Sequence, residues 1–208
     1  QQLGHRKLTV LIVSHGDRDH ASGAATLNAR LQITETWYGD KPLPGLSHQV
    51  ACRAGTTRNF QGLALQVLHP ASVQEESSSN NRSCVVRLEY QGFSLLLPGD
   101  IEASVERQLA AAWGPGLRSD VLLVPHHGSK TSSSAPFLRA VNPQLAIYSY
   151  GYRNHFGHPH VTVVQRYRHL QIPTMATTSS GAIFLRAEHG VLTSAQGWRE
   201  VDRYYWNR

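Results

Sequence analysis

Residues 8–23 read LTVLIVSHGDRDHASG, and two chemistries meet inside them. LTVLIV is apolar and rich in β-branched residues, the composition of a buried strand. Directly after it, His15, Asp17, Asp19 and His20 fall within six residues, with only Gly16 and Arg18 between them. Imidazole nitrogens and carboxylate oxygens are ligands for divalent cations, and loops beyond the ends of rigid strands commonly carry active-site groups. Taken alone, the cluster has a plainer explanation: Asp19 caps a helix beginning near Ala21, and the histidines are simply exposed.

The same arrangement recurs along the chain. PGDIE (98–102) follows the apolar run FSLLL, PHHGSKTSSS (125–134) follows DVLLV, and YGYRNHFGHPH (150–160) follows LAIYS; TTSSGAI (177–183) lies between two strand-like runs. Asp100 alone is also readable as the N-cap of a helix over 101–113. Jointly these segments supply several imidazoles and carboxylates at strand ends. That donor set suits two divalent ions about 3.5–4 Å apart that share a carboxylate and lower the pKa of a water.

The 208 residues are enough for one domain with a sizeable core. Hydrophobic residues make up 40% and charged residues 16%, which excludes a disordered chain. No apolar run approaches the roughly 20 residues needed to span a bilayer. The net charge of +6 favours anionic partners such as nucleic acid or anionic lipid. Cys52 and Cys84 form no C-x-x-C pair, which excludes a thiolate zinc site of that type; they either join in one disulfide or stay free.

Strands are expected at 8–14, 32–38, 48–54, 63–69, 83–90, 93–99, 120–125, 145–150, 174–178, 181–187 and 190–195, with hairpin turns at Gln91-Gly92 and His189-Gly190. Helices are expected at 21–31, 101–113, 135–141 and 160–170, and 74–83 reads as a polar loop. Antiparallel hairpins should predominate in a layered α+β sandwich.

SHGDRDHASGA, NNRSCVVRL, LLLPGDIE, VPHHGSKTSSS and YGYRNHFGHPH, in this order, resemble the metallo-β-lactamase superfamily. Within it they resemble most the hydrolase-like C-terminal domain of the ComEC family of competence DNA-uptake proteins. The resemblance implies an αββα sandwich with two divalent ions. His15 and Asp17 would ligate the first ion, Asp19 and His20 the second; Asp100 would bridge and His158 would complete the second site. Asp17 stands where the superfamily has a second histidine, and Asn81 falls near its third. More carboxylate hardens the first site and favours Mn²⁺ or Mg²⁺ over Zn²⁺ there; Mn²⁺ is the expected metal, with Zn²⁺ or Mg²⁺ as alternatives. His127 and Lys130 are expected to assist catalysis beside Asp19, while Asn81, His126, Ser129 and Asn154 are expected around the substrate phosphate.

By the same resemblance the expected activity is a nuclease acting on DNA during natural transformation, degrading the non-transported strand. The domain would sit at the periplasmic face of a bacterial inner membrane, beside the channel portion of the same protein. Two other functions fit the residues: a small-phosphodiester (phosphocholine-type) esterase and a catalytically degenerate DNA-binding domain. Members of this fold place several strands before the first ligand motif, and only 14 residues precede His15 here. The chain is therefore expected to lack those strands and to present an open sheet edge, which predicts a homodimer or a missing piece.

Overall fold

The computed structural model describes residues 6–71 and 78–201; residues 74–77 of the polar loop lie outside the described residues. Strand β1 (Lys7–Val13) leads into helices α1 (Arg18–Ala21) and α2 (Ala24–Arg30), and the chain returns as β2 (Gln32–Tyr38), parallel to β1 with Val13 opposite Tyr38. The helix expected over 21–31 is thus two short pieces interrupted at Ser22 and Gly23, both weaker helix formers than the alanines around them. Strand β3 (Gln49–Ala51) extends this three-stranded parallel sheet, in which β1 is the edge strand.

A second sheet begins as a meander of β4 (Thr57–Phe60), β5 (Leu63–His69), β6 (Val85–Tyr90) and β7 (Phe93–Leu97). Strand β4, TRNF, has no strand-like alternation and was not expected; it forms because Gln61 and Gly62, both at positive φ, turn the chain back against β5. Helix α3 (Ala103–Trp113), strand β8 (Val121–Leu123), helix α4 (Ala135–Val141), strand β9 (Leu145–Tyr148), helix α5 (Val161–His169) and strand β10 (Thr174–Ala176) then add three parallel strands. After a helical turn, α6 (Thr177–Ser180), the hairpin β11 (Ile183–Glu188) and β12 (Val191–Gly197) forms around His189-Gly190 and is followed by α7 (Trp198–Val201). The expected predominance of hairpins is corrected. Among the described residues, five strand pairings are parallel and four antiparallel, because helices α3, α4 and α5 carry the chain across the sheet.

Period-2 alternation divides the large sheet into two apolar faces. Leu68, Val85, Leu96, Leu122 and Ala146 pack under α3, α4 and α5 with Ile101, Phe137 and Tyr167. The alternate residues Leu65, Val67 and Val86 meet Trp37 of β2 and Val10 and Ile12 of β1 between the two sheets. Val13 and Leu11 face Ala24 of α2 on the far side of the small sheet. Helix, sheet, sheet, helix is the expected order of layers. The hairpin β11–β12 covers Val121, Leu145 and Ile147, on the same inner face. No helix among the described residues is long and apolar enough to cross a membrane.

Cys52 and Cys84 form a disulfide inside the core between the sheets. It ties the end of β3 to the start of β6 across a separation of 32 residues. Loop closure of that length restricts the unfolded chain by about 3–4 kcal/mol. A Cys52→Ser, Cys84→Ser double variant is therefore expected to lose about that much stability in urea unfolding; an unchanged midpoint would show that the bridge constrains nothing.

Candidate metal centre

The strand-end clusters meet on one side of the sandwich because β1, β7, β8 and β9 all deliver their C-terminal ends there. Backbone bonds stitch the loops together: Cys84 N–H donates to Ser14 O (2.8 Å), and His126 N–H donates to Gly99 O (3.1 Å). Gly99 has φ +60°, and a Cβ on it would stand 2.8 Å from the Ser83 Cβ and 2.9 Å from the Ser14 Cβ. Only glycine allows the turn after β7 to press so closely on these two serines.

Those serines orient the first imidazoles. Ser14 Oγ lies 3.1 Å from Nδ1 of both His15 and His20, and Ser83 Oγ lies 3.3 Å from Nδ1 of His15 while accepting the Asp100 N–H. With Nδ1 engaged, each ring turns Nε2 toward Asp100, the arrangement by which outer partners aim metal-binding histidines. His127 is aimed in the same way: its Nδ1 donates to the Ser149 carbonyl at 2.6 Å, which leaves the Nε2 lone pair facing inward.

Asp19, His20, Asp100 and His127 converge, with one donor atom from each within 4.8 Å of the others. His127 Nε2 lies 3.1 Å from His20 Nε2, 3.2 Å from Asp19 Oδ2 and 3.5 Å from Asp100 Oδ2. His20 Nε2 lies 3.6 Å from Asp19 Oδ2 and 3.3 Å from Asp100 Oδ1. A tetrahedron with ligand bonds of about 2.0–2.1 Å has edges of about 3.3–3.4 Å; the separations around His20 and His127 lie near that value, with Asp100 facing His20 through Oδ1 and His127 through Oδ2, so small side-chain shifts would close the four donors on one divalent ion. Beside them, His15 is wholly buried and its Nε2 has no hydrogen-bond partner; it points at Asp17 Oδ2 (3.7 Å) and Asp100 Oδ2 (3.9 Å). A buried polar nitrogen left bare is costly, and a second cation would satisfy it.

The electrostatics follow from burial and mutual charge. Burial opposes ionisation of Asp100, but the His20 hydrogen bond and the charges of His20, His127 and His15 outweigh it and hold the carboxyl below its ordinary range. Burial also disfavours charge on His20, yet the bond to and charge of Asp100 raise its pKa. His15 is lowered by burial, then by His20. His158 is lowered by burial, then by His126 and His127.

The structure brings some of the expected site residues together and holds others apart. His158 is not among the four converging donors; its ring lies 5.8 Å from that of His126 and 6.3 Å from that of His127. The imidazole that completes the set is His127, expected to assist catalysis. His126 Nε2 stands 3.9 Å from Asp100 Oδ2. Both residues are at positive φ (49° and 54°), a backbone strain that concentrates at functional sites. Asn81, expected near phosphate, instead accepts the Glu102 N–H at 2.9 Å and reaches Glu102 and Ser104 with its Nδ2. Asn154 is spent on its own loop, bonding Gly151 and His158. Ser129 is buried against Thr131, and Lys130 is exposed. Asp100 is not the N-cap of α3; Glu102 holds that position. The orienting groups Ser14, Ser83 and Ser149 carry no motif in the sequence; only their places beside ligand residues point to them.

A model of the metallo-beta-lactamase superfamily matches residues 1–152. The chain belongs to that superfamily. It is 37% identical over 85% of its length to "Recombination protein 2" of Haemophilus influenzae and 34% identical over 99% to "Competence protein ComA" of Neisseria gonorrhoeae. "ComE operon protein 3" of Bacillus subtilis is 30% identical over 91% of the chain. The chain spans about a quarter of these relatives, 22%, 29% and 26% of their lengths respectively. Among solved structures, a protein of Parabacteroides distasonis described as a metal-dependent hydrolase superposes with a TM-score of 0.57 at 13% identity, covering 85% of this chain and 79% of its own. The diiron β-hydroxylase CmlA of Streptomyces venezuelae gives 0.54 at 14% identity over 82% of this chain and 43% of its own. At such identities these two show the fold alone. Members of the superfamily are generally metal-dependent hydrolases.

The loop carrying His126 and His127 is held from below by Glu106 of α3. This fully buried side chain accepts the N–H groups of Ser133 and Ser134 at 2.5 and 2.6 Å, while Arg166 donates to the carbonyls of Ser132 and Ser133. Burial raises the Glu106 pKa above 4.5, against the lowering by Ser134, Ser133 and Arg166. A raised acid pKa means that protonation favours the folded state: the contribution is full below the unfolded value and is lost as pH rises through the folded one. Glu106→Gln removes one acceptor and is expected to destabilise by about 1–3 kcal/mol. The gap between parent and variant should shrink from about pH 4 to about pH 8; urea unfolding across that range checks it, and a constant gap would refute the raised pKa.

Proposed function

We propose that this domain is a two-metal phosphodiesterase that hydrolyses DNA during its uptake. The observation that carries the reading is the convergence of Asp19, His20, Asp100 and His127, one donor atom from each within 4.8 Å of the others, beside the bare Nε2 of His15. In this reading Asp19, His20, Asp100 and His127 hold one ion. His15, Asp17 and Asp100 hold the other, and His126 supplies the imidazole that the substitutions at Asp17 and Asn81 remove. When bound, such ions acidify a water and screen the charge of a phosphate.

The chain's own residues do the rest. Asp100 presents Oδ1 toward His20 and Oδ2 toward His15, His126 and His127, so one carboxylate serves both positions. Ser14 and Ser149 keep the imidazoles in register during the reaction. His158 stands outside the ligand set, close enough to contact the scissile phosphate or its leaving oxygen. Two carboxylates and two imidazoles at each position suit Mn²⁺, the metal we assign, and also Zn²⁺.

DNA as substrate draws on the net charge of +6 and on the competence and recombination proteins to which the chain is similar. The buried Cys52–Cys84 disulfide supports an oxidising compartment, consistent with the outer face of a bacterial inner membrane. Degradation of the non-transported strand, with the channel portion of the same protein as neighbour, is the role we assign.

Two outcomes test this. In titration calorimetry with Mn²⁺, His127→Ala should weaken one binding event by at least about a hundredfold, while His158→Ala leaves both events in place; loss of a site in His158→Ala instead would return that residue to the ligand set. Metal-stripped protein given labelled single-stranded DNA should cut it on addition of Mn²⁺ and not in Asp19→Ala or Asp100→Ala. Cleavage that survives Asp100→Ala would sink the reading.

A further inference from the structure

Beside the donor cluster, the loop between β9 and α5 does something a soluble surface ordinarily avoids. Tyr152 is 76% exposed and Phe156 is 70% exposed, the largest values among the exposed large apolar side chains of the described residues. Phe156 leans on the His155 ring, with centroids 4.0 Å apart at 37°, while the loop itself is closed by other bonds. Asn154 already holds it closed: its Oδ1 accepts the His158 N–H at 2.9 Å, and its Nδ2 donates to His158 O at 2.7 Å and to Gly151 O at 3.2 Å. The neighbouring Tyr148, by contrast, is buried in the helix-covered core, so the alternation of tyrosines at 148, 150 and 152 splits into a packing end and an exposed end.

The exposed rings are placed with respect to the cluster. Phe156 lies nearly parallel to the His158 imidazole, at 15° with centroids 5.8 Å apart, and His158 in turn flanks His126 and His127. Phe156, Asn154 and His158 line a cleft of about 290 Å³ together with Asp19 and His127 of the cluster itself. In the same loop, the Arg153 guanidinium sits 5.3 Å over the Tyr152 ring. Flat apolar faces, a cation over one of them and a phosphate-binding centre beside the other match a ligand with flat rings spaced along a polyanion. A single-stranded nucleic acid has that form, and base–aromatic stacking binds it without regard to sequence. In a duplex the same faces are stacked on one another and are unavailable.

We propose that Tyr152 and Phe156 are stacking platforms for unpaired bases next to the scissile phosphate, with Arg153 on the intervening backbone, so that this site selects single strands over duplex. The proposal rests on the phosphodiesterase reading above and adds the strandedness of its substrate.

The test uses the full 208-residue chain loaded with Mn²⁺ and a fluorescent oligothymidylate of about 12 nucleotides, phosphorothioate-linked so that it resists cleavage. An abasic strand of the same length and a duplex serve as companions. Anisotropy should show Tyr152→Ala and Phe156→Ala each weakening binding about tenfold, with Tyr152→Phe and Phe156→Tyr close to the parent and melting temperatures unchanged. The parent should bind the abasic strand and the duplex as weakly as the double alanine variant binds oligothymidylate. The double variant should no longer distinguish oligothymidylate from the abasic strand. Equal losses on both strands, or no loss, would overturn the stacking role while leaving the nuclease reading intact. Failure of the parent to bind any of the three would overturn the DNA reading and this inference with it. Binding to phosphatidylglycerol vesicles that disappears in the double variant while DNA binding persists would assign the rings to a membrane surface and overturn the proposal.

Discussion

A carboxylate taken out of water is unstable unless charge or hydrogen bonding compensates it, and Asp100 is 5% exposed. It keeps an ionised form because imidazoles from two separate parts of the chain surround it: His15 and His20 from the turn after β1, and His127 from the turn after β8. The rest of the architecture serves that meeting. Two sheets must stack for β1 and β8 to end at the same height, helices α3 and α4 must carry the chain back so that β7, β8 and β9 run parallel, and Gly99 must let the Asp100 turn settle against Ser14 and Ser83. Removing any one of these separates the carboxylate from the groups that keep it charged.

Much of this was legible because strand chemistry and site chemistry sit side by side in the sequence. Period-2 apolar runs located nearly every strand, and abrupt strings of His and Asp at their ends located the loops that meet. The layer order followed from the family resemblance and is what the packing of Val67 and Leu68 on opposite faces requires. β4 escaped notice because TRNF has neither alternation nor bulk; its pairing is imposed by the turn at Gln61-Gly62 and by β5. The parallel ladders were underestimated because pairing direction is a property of the connections and leaves no mark in a strand's own residues.

The assignment of individual donors was less legible, for a geometric reason. Spacing within one motif says which side chains share a face, so His15, Asp17, Asp19 and His20 were readable together. It says nothing of which of two adjacent histidines on a different strand reaches the same point. His126, His127 and His158 are chemically identical candidates, and only the direction of the turn after β8, fixed by the Ser149 carbonyl, selects His127. Asn81 and Asn154 likewise offered the right groups for phosphate, but each is drawn off by nearer backbone partners at Glu102 and His158.

The paired left-handed residues His126 and His127 turn the chain sharply after β8. Their imidazoles flank Asp100 from adjacent positions. Gly128, at φ +85°, packs so tightly against Pro159 and Tyr148 that a Cβ there would sit 2.8 and 2.9 Å from them, which blocks any slack downstream. The backbone under the two rings is thereby held, and each imidazole is left to move only through its own side-chain torsions. Asp17 and Asp19, on the facing turn, are half or more exposed, so the two sides of the cluster differ: a fixed wall carrying the imidazoles opposes a turn whose carboxylates move freely in water.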